Sequence, residues 1–139
     1  MWWMYALLSA IFAALTAIFA KVGIKGVDSD LATAIRTVVI LVLAWSIVLV
    51  KGSLGTVTTL SRTNWTFLLL SGVATGLSWI FYFKALQLGK VSQVATVDKA
   101  SVDIAILLSV LFLGETLTLK TAIGAGLIIA GTLVLVACV

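Results

Sequence analysis

Asp98, Lys99 and Asp103 fall close together inside an otherwise apolar stretch, VSQVATVDKASVDIAILLSVLFLGETLTL over Val91–Leu119. Residues of these types in such a stretch can do two kinds of chemistry: they can bind a charged solute, or they can take up and release a proton. In a water-soluble protein they would mark a solvated strip, but every other long segment of this chain is apolar enough to sit in lipid. A charge inside a bilayer costs roughly 2.5–3.5 kcal/mol on insertion scales, so it is a functional candidate by default. On a continuous helix Asp98, Ser101, Ala105 and Ser109 share one small, partly polar face, and Lys99 and Asp103 are i, i+4 neighbours able to pair. Two acids and one base leave one carboxylate without a counter-ion, a candidate proton carrier. Asp98 and Lys99 have a plainer reading as an interfacial pair if the helix begins later. Asp103 is well inside under either boundary. Glu115, after Gly114, suits a water-exposed turn that favours the N-terminus of the next helix.

Further candidates are Arg36, Trp79 and Lys84. Arg36 is the single charge in Leu31–Val50. It lies roughly 9 Å from the helix end, so it can snorkel to the interface. The alternative is a cavity-facing cation that pairs with an acid or an anionic substrate. Trp79, Phe81, Tyr82 and Phe83, followed by Lys84, read as a membrane boundary, with a cation-binding aromatic box as the sharper alternative. There is no histidine, which removes the commonest proton relay and metal ligand. The lone Cys138 cannot form an internal disulfide and reads as a small apolar residue near a helix end. No Ser-His-Asp set, P-loop or glycine-rich dinucleotide loop is present. Neither an enzyme nor a cofactor or metal site is expected.

These residues need helices to position them, and the composition says in what solvent. Of 139 residues 63% are hydrophobic and 10% charged, with a mean hydropathy of +1.28. A soluble domain carries about 25% charged residues, so the fold class expected is an all-α polytopic membrane protein. The net charge of +4 comes from scattered bases, which does not suggest nucleic-acid binding. Five transmembrane helices are expected, at about 2–20, 31–50, 65–83, 91–113 and 121–139, forming a single domain over 1–139. The first is read as a retained span, since its Met-Trp-Trp-Met-Tyr start lacks the basic region of a signal peptide. Asp28, Ser29 and Asp30 are N-cap candidates for the second helix. Gly89 is a C-cap candidate after the third, and Thr116 and Thr118 are the cap candidates of the fifth. Gly72 and Gly76 form a GxxxG pair whose plainer use is packing within the chain. Ala122, Gly126 and Ala130 make a small-residue stripe for pairing within or between chains.

Five spans would place the termini on opposite sides. Lys51, Arg62 and Lys120 then lie on one side, and Lys21, Lys25, Lys84 and Lys90 on the other, joined by Arg36 if it snorkels there. That bias is weak under the positive-inside rule. A chain able to insert both ways can form an antiparallel homodimer, reproducing the inverted repeats of many secondary transporters.

Lys21, LATAIRT around Arg36, SGVATGLSWIFYFKALQLG at 71–89, VATVDKASV at 94–102 and FLGETLT at 112–118 together resemble the EamA-like repeat of the drug/metabolite transporter superfamily. The resemblance covers nearly the whole chain and implies one five-helix repeat. Larger members hold two such repeats in opposite orientation and export metabolites or drugs from the cytoplasm. It maps the family's basic residue of the second helix to Arg36, its aromatic-basic-Ala-Leu end of the third to Phe83-Lys84-Ala85-Leu86, its Asp-Lys to Asp98-Lys99 and its Gly-Glu to Gly114-Glu115. The family often has a proline just before the Asp-Lys. Here Thr96 takes that place in a chain without proline, so a ring-imposed kink does not follow. Asp103 stands where an apolar residue is expected.

The function expected is a multi-pass, inner-membrane secondary transporter, most naturally an exporter, moving a small metabolite or drug-like solute by alternating access. Its expected partners are that substrate, membrane lipid, a second copy of itself and, through an acid, protons. Asp98, Lys99, Asp103 and Ser101 would line or gate the path, and Arg36, Lys84 and Trp79 would contact substrate or counter-ion. The rival readings are a passive channel, a lipid-handling protein and a non-transport scaffold on the same bundle. Four-helix multidrug exporters use a glutamate in the first helix, and Trp2–Ala20 contains no acid.

Overall fold

Long uncharged runs without proline fold as helix in lipid because the helix satisfies every backbone donor and acceptor within one segment. The computed structural model describes residues 1–137. They form α1 (Trp2–Gly23), α2 (Ser29–Val50), a 3-10 helix (Ser53–Thr59), α3 (Arg62–Leu88), α4 (Val91–Asp98), α5 (Ala100–Leu113) and α6 (Leu119–Ala137). There is no strand among the described residues. Cys138 and Val139, the last two residues of the expected fifth span, lie outside them.

Four helices, α1, α2, α3 and α6, are individually long and apolar enough to cross a bilayer. The expected fourth span, 91–113, is made of two helices, α4 of 8 residues and α5 of 14, meeting at Lys99. At 1.5 Å per residue they are about 12 and 21 Å long, so neither alone spans about 30 Å of hydrocarbon.

Helix ends follow local chemistry. The Asp28 carboxylate accepts from the backbone N–H of Asp30 at 3.0 Å and of Leu31 at 3.1 Å, which selects it among the three N-cap candidates of α2. Asp28→Ala is expected to cost about 1 kcal/mol, read as an earlier thermal loss of helical circular dichroism. Thr118 rather than Thr116 caps α6, its hydroxyl accepting from the Thr121 N–H at 3.2 Å. Gly114 closes α5 in the left-handed conformation, φ 68°, and Glu115 N–H donates back to the Ser109 carbonyl at 3.3 Å. Gly89 follows α3 but does not take that conformation; Gly26, Gly52 and Gly114 do. Gly114→Ala is expected to cost about 1–2 kcal/mol, the penalty of a side chain at positive φ, by the same measurement.

Hydroxyls inside the helices are satisfied locally. Thr33, Thr37, Ser46, Thr75 and Thr96 each donate to the carbonyl four residues back. They therefore remain tolerable in lipid without a partner helix.

The chain divides into two compact units, Ile18–Leu88 and Met1–Ala17 with the segment from Gly89 onward. In the first, α2 packs on α3, and the buried residues gather at one end: Ala20, Ile24, Ser29, Thr33, Phe83 and Leu86. Phe83 and Leu86 are 1% and 0% exposed, which makes them the packing centre of this unit. Two bonds distant in sequence tie that end together. The Lys21 ammonium donates to the Leu86 carbonyl, and the Gln87 amide donates to the Val27 carbonyl at 2.6 Å. In the second unit α6 packs against α5 and α4, presenting Ala125, Ile128 and Thr132 as its better shielded face.

Candidate functional site

α4 ends at Asp98 although no proline is present to break it. The Lys99 N–H donates to the Thr96 carbonyl at 3.1 Å, and the Val102 N–H to the Lys99 carbonyl at 3.0 Å, both three residues back. These are 3-10 bonds, and the tighter winding advances each residue by about 120° rather than about 100°. The face expected from continuous α-helix therefore does not form. Ser101 and Ala105 are exposed, whereas Asp103, Ile106, Ser109 and Val110 make the shielded side of α5.

The i, i+4 ion pair of Lys99 with Asp103 is not formed among the described residues. The Lys99 ammonium lies 4.0 Å from the Asp98 carboxylate, with the side chains 60% and 40% exposed. Pairs this open are worth at most about 1 kcal/mol. Asp103 behaves oppositely. Both of its carboxylate oxygens are shielded, and neither has a hydrogen-bond partner. A buried polar group left without a partner costs about 1–3 kcal/mol, and more when charged, and the Asp103 carboxylate carries a cost of this kind. On α6 the Thr132 hydroxyl is 2.9 Å from the Ile128 carbonyl and 3.5 Å from that of Thr96. Its single proton serves the shorter bond first, leaving a weak link from α6 to the last turn of α4. Sequence reading missed Thr132. A lone threonine in an apolar run gives no signal, because its local bond satisfies it.

In the other unit the Arg36 guanidinium lies 4.3 Å from the centre of the Phe83 ring and 5.5 Å from that of Trp79. Both are within the about 6 Å at which a cation is held by an aromatic face. Arg36 thus faces the Trp79 and Phe83 rings, the surface that the sequence offered as a box for an external cation. Tyr82 meets Phe83 edge-on at 6.0 Å, which steadies the platform. Lys84, next to buried Phe83, is itself exposed.

Gly72 and Gly76 have nothing within 4 Å of an added Cβ inside their unit, so the expected packing of that pair against a neighbouring helix of the unit is not found. Ala122, Gly126 and Ala130 are likewise exposed; the better shielded face of α6 is the one carrying Ala125, Ile128 and Thr132. Among the described residues no group of His, Cys, Asp and Glu side chains is placed to hold a metal ion.

The sequence matches the EamA-like transporter family over residues 1–137. It is also 50% identical, over 134 residues, to a Sinorhizobium protein described as an uncharacterized transporter in the cobO 3' region. That alignment covers 96% of this chain and 95% of the relative. No solved structure matches significantly.

Proposed function

This chain belongs to the EamA-like transporter family, and on that premise we propose a mechanism for it finer than membrane transport in general. It is a secondary transporter of the inner membrane that exports a small metabolite or drug-like solute by alternating access. It works as an antiparallel homodimer and couples export to protons.

The observation that carries this reading is the interrupted helix at Lys99 with the unpartnered Asp103 four residues on. Interrupted helices inside a membrane serve as binding and gating points, because local backbone groups leave the regular ladder. An ionisable group kept in such a place without a partner is costly in this conformation. A second conformation, or a bound ligand or proton, that satisfies it would be favoured by that difference. Differential stabilisation of this kind is what drives exchange between two packings. In this reading Asp98 and Lys99, at the break and partly exposed, act as gate residues. Arg36 contacts the substrate or its counter-ion from the aromatic platform of Trp79 and Phe83, and the exposed Lys84 is a second contact. The near balance of lysines and arginines between the two sets of loops supports insertion in both orientations.

The test is topological. Single cysteines near the two ends, on a Cys138-free background, are probed in intact cells and in inverted membranes. Labelling of both ends from both sides is the expected result. One fixed orientation would overturn the antiparallel dimer while leaving transport open.

A further inference from the structure

We propose that the cavity at the Lys21–Gly26 end of α1 binds a phosphate-bearing anion. Its volume is about 270 Å³, and Lys21, Ile24, Lys25, Gly26 and Gln87 line it. All five residues belong to the Ile18–Leu88 unit, and none of them is a residue on which the transport reading rests.

Two ammonium groups and no acid line this cavity. The nearest acid in sequence, Asp28, accepts the N–H groups of Asp30 and Leu31, so its charge is committed to the start of α2. The walls are fixed in place. Lys21 is fastened to the Leu86 carbonyl, whose residue is fully buried, and Gln87 is fastened to the Val27 carbonyl at 2.6 Å. Those bonds hold the ends of α1 and α3 on either side of the opening. Gly26, at φ 74° and with nothing within 4 Å of an added Cβ, turns the chain without closing it. Lys25 is exposed, and its ammonium makes no hydrogen bond or ion pair among the described residues. A fixed ammonium and a mobile one at the mouth suit a tetrahedral anion, since lysine offers rotatable donors on a point charge. Neutral or cationic solutes gain nothing from such a lining.

The cavity lies where α1 and α3, both long and apolar enough to span, come to their ends, and the ends of spanning helices meet the lipid headgroups. Basic pockets between helices at that level take phosphate headgroups. The phosphate can therefore come from an anionic phospholipid of the surrounding bilayer or from free phosphate in solution, and the chemistry is shared.

Two arms distinguish the sources. The full-length protein, purified in a neutral detergent, is titrated with phosphatidylglycerol and with phosphatidylcholine, and bound lipid is counted by native mass spectrometry. Separately, inorganic phosphate is titrated in the absence of lipid. Wild type is compared with Lys25→Ala and with Lys120→Ala, which removes an ammonium from the other unit. The expected result is a preference for phosphatidylglycerol, or saturable phosphate binding, that Lys25→Ala weakens about fivefold, the factor one ammonium supplies at an anionic surface. Lys120→Ala leaves it unchanged. Selectivity for the lipid alone assigns the site to a headgroup, and saturation by inorganic phosphate assigns it to a solute. Equal losses in the two variants, or no binding in either arm, overturns the proposal. Because Lys25 is exposed and unpartnered, its replacement leaves folding intact.

Discussion

Asp103→Asn is expected to reduce transport driven by a pH gradient in proteoliposomes by about tenfold or more, equivalent to about 1.4 kcal/mol, while making the protein more resistant to heat. Both effects follow from one geometry. The Asp103 oxygens are shielded and accept no hydrogen bond, so this packing carries a group whose cost is about 1–3 kcal/mol or more. Asparagine keeps the shape and removes the ionisable proton. If Asp103 carries the proton, the substitution lowers the cost of this conformation and removes the ligand that favours the other. Differential scanning fluorimetry in nanodiscs reads the first effect, and solute counterflow with and without a pH gradient separates the second from simple loss of binding. Asp98→Asn is the comparison. Its carboxylate is 40% exposed and 4.0 Å from Lys99, so its stability effect should stay within about 1 kcal/mol. If the double variant still responds to a pH gradient, proton coupling through these acids is wrong.

Phe83→Ala should be the most damaging single substitution, costing roughly 3–5 kcal/mol, the range for deleting a buried aromatic side chain. Phe83 is 1% exposed at the packing centre of its unit and also supports the Arg36 guanidinium at 4.3 Å. Phe83→Leu separates the two roles, because it fills most of the volume and lacks the aromatic face. A thermodynamic cycle of Phe83→Leu with Arg36→Ala isolates the cation–aromatic term, expected at about 0.5–2 kcal/mol. Arg36→Lys keeps the charge but gives up the planar stacking that guanidinium favours. Additive losses in the cycle would mean that Arg36 is held by something other than Phe83. If Arg36 contacts substrate, Arg36→Lys also raises KM for the transported solute, which a purely structural residue would not do.

Much of this protein was legible in the chain alone. The apolar content and the placing of α1, α2, α3 and α6 follow from hydropathy, because lipid leaves a long uncharged segment no alternative to helix. The caps at Asp28 and Thr118 and the turn at Gly114-Glu115 are equally local, since each depends on residues no more than six apart in the chain. The EamA-like resemblance, too, rested on short motifs readable in order. What the tertiary structure decided lies at longer range or in finer winding. Arg36 and Phe83 are distant in sequence, and nothing near either residue encodes which ring the guanidinium will cover. The break at Lys99 arises without proline, from two bonds made three residues back instead of four. That small change rotates Ser101 and Asp103 to other faces than an unbroken helix would give them. Whether a carboxylate such as Asp103 finds a partner is a property of everything packed around it, and the spacing of charges along the chain could not supply that.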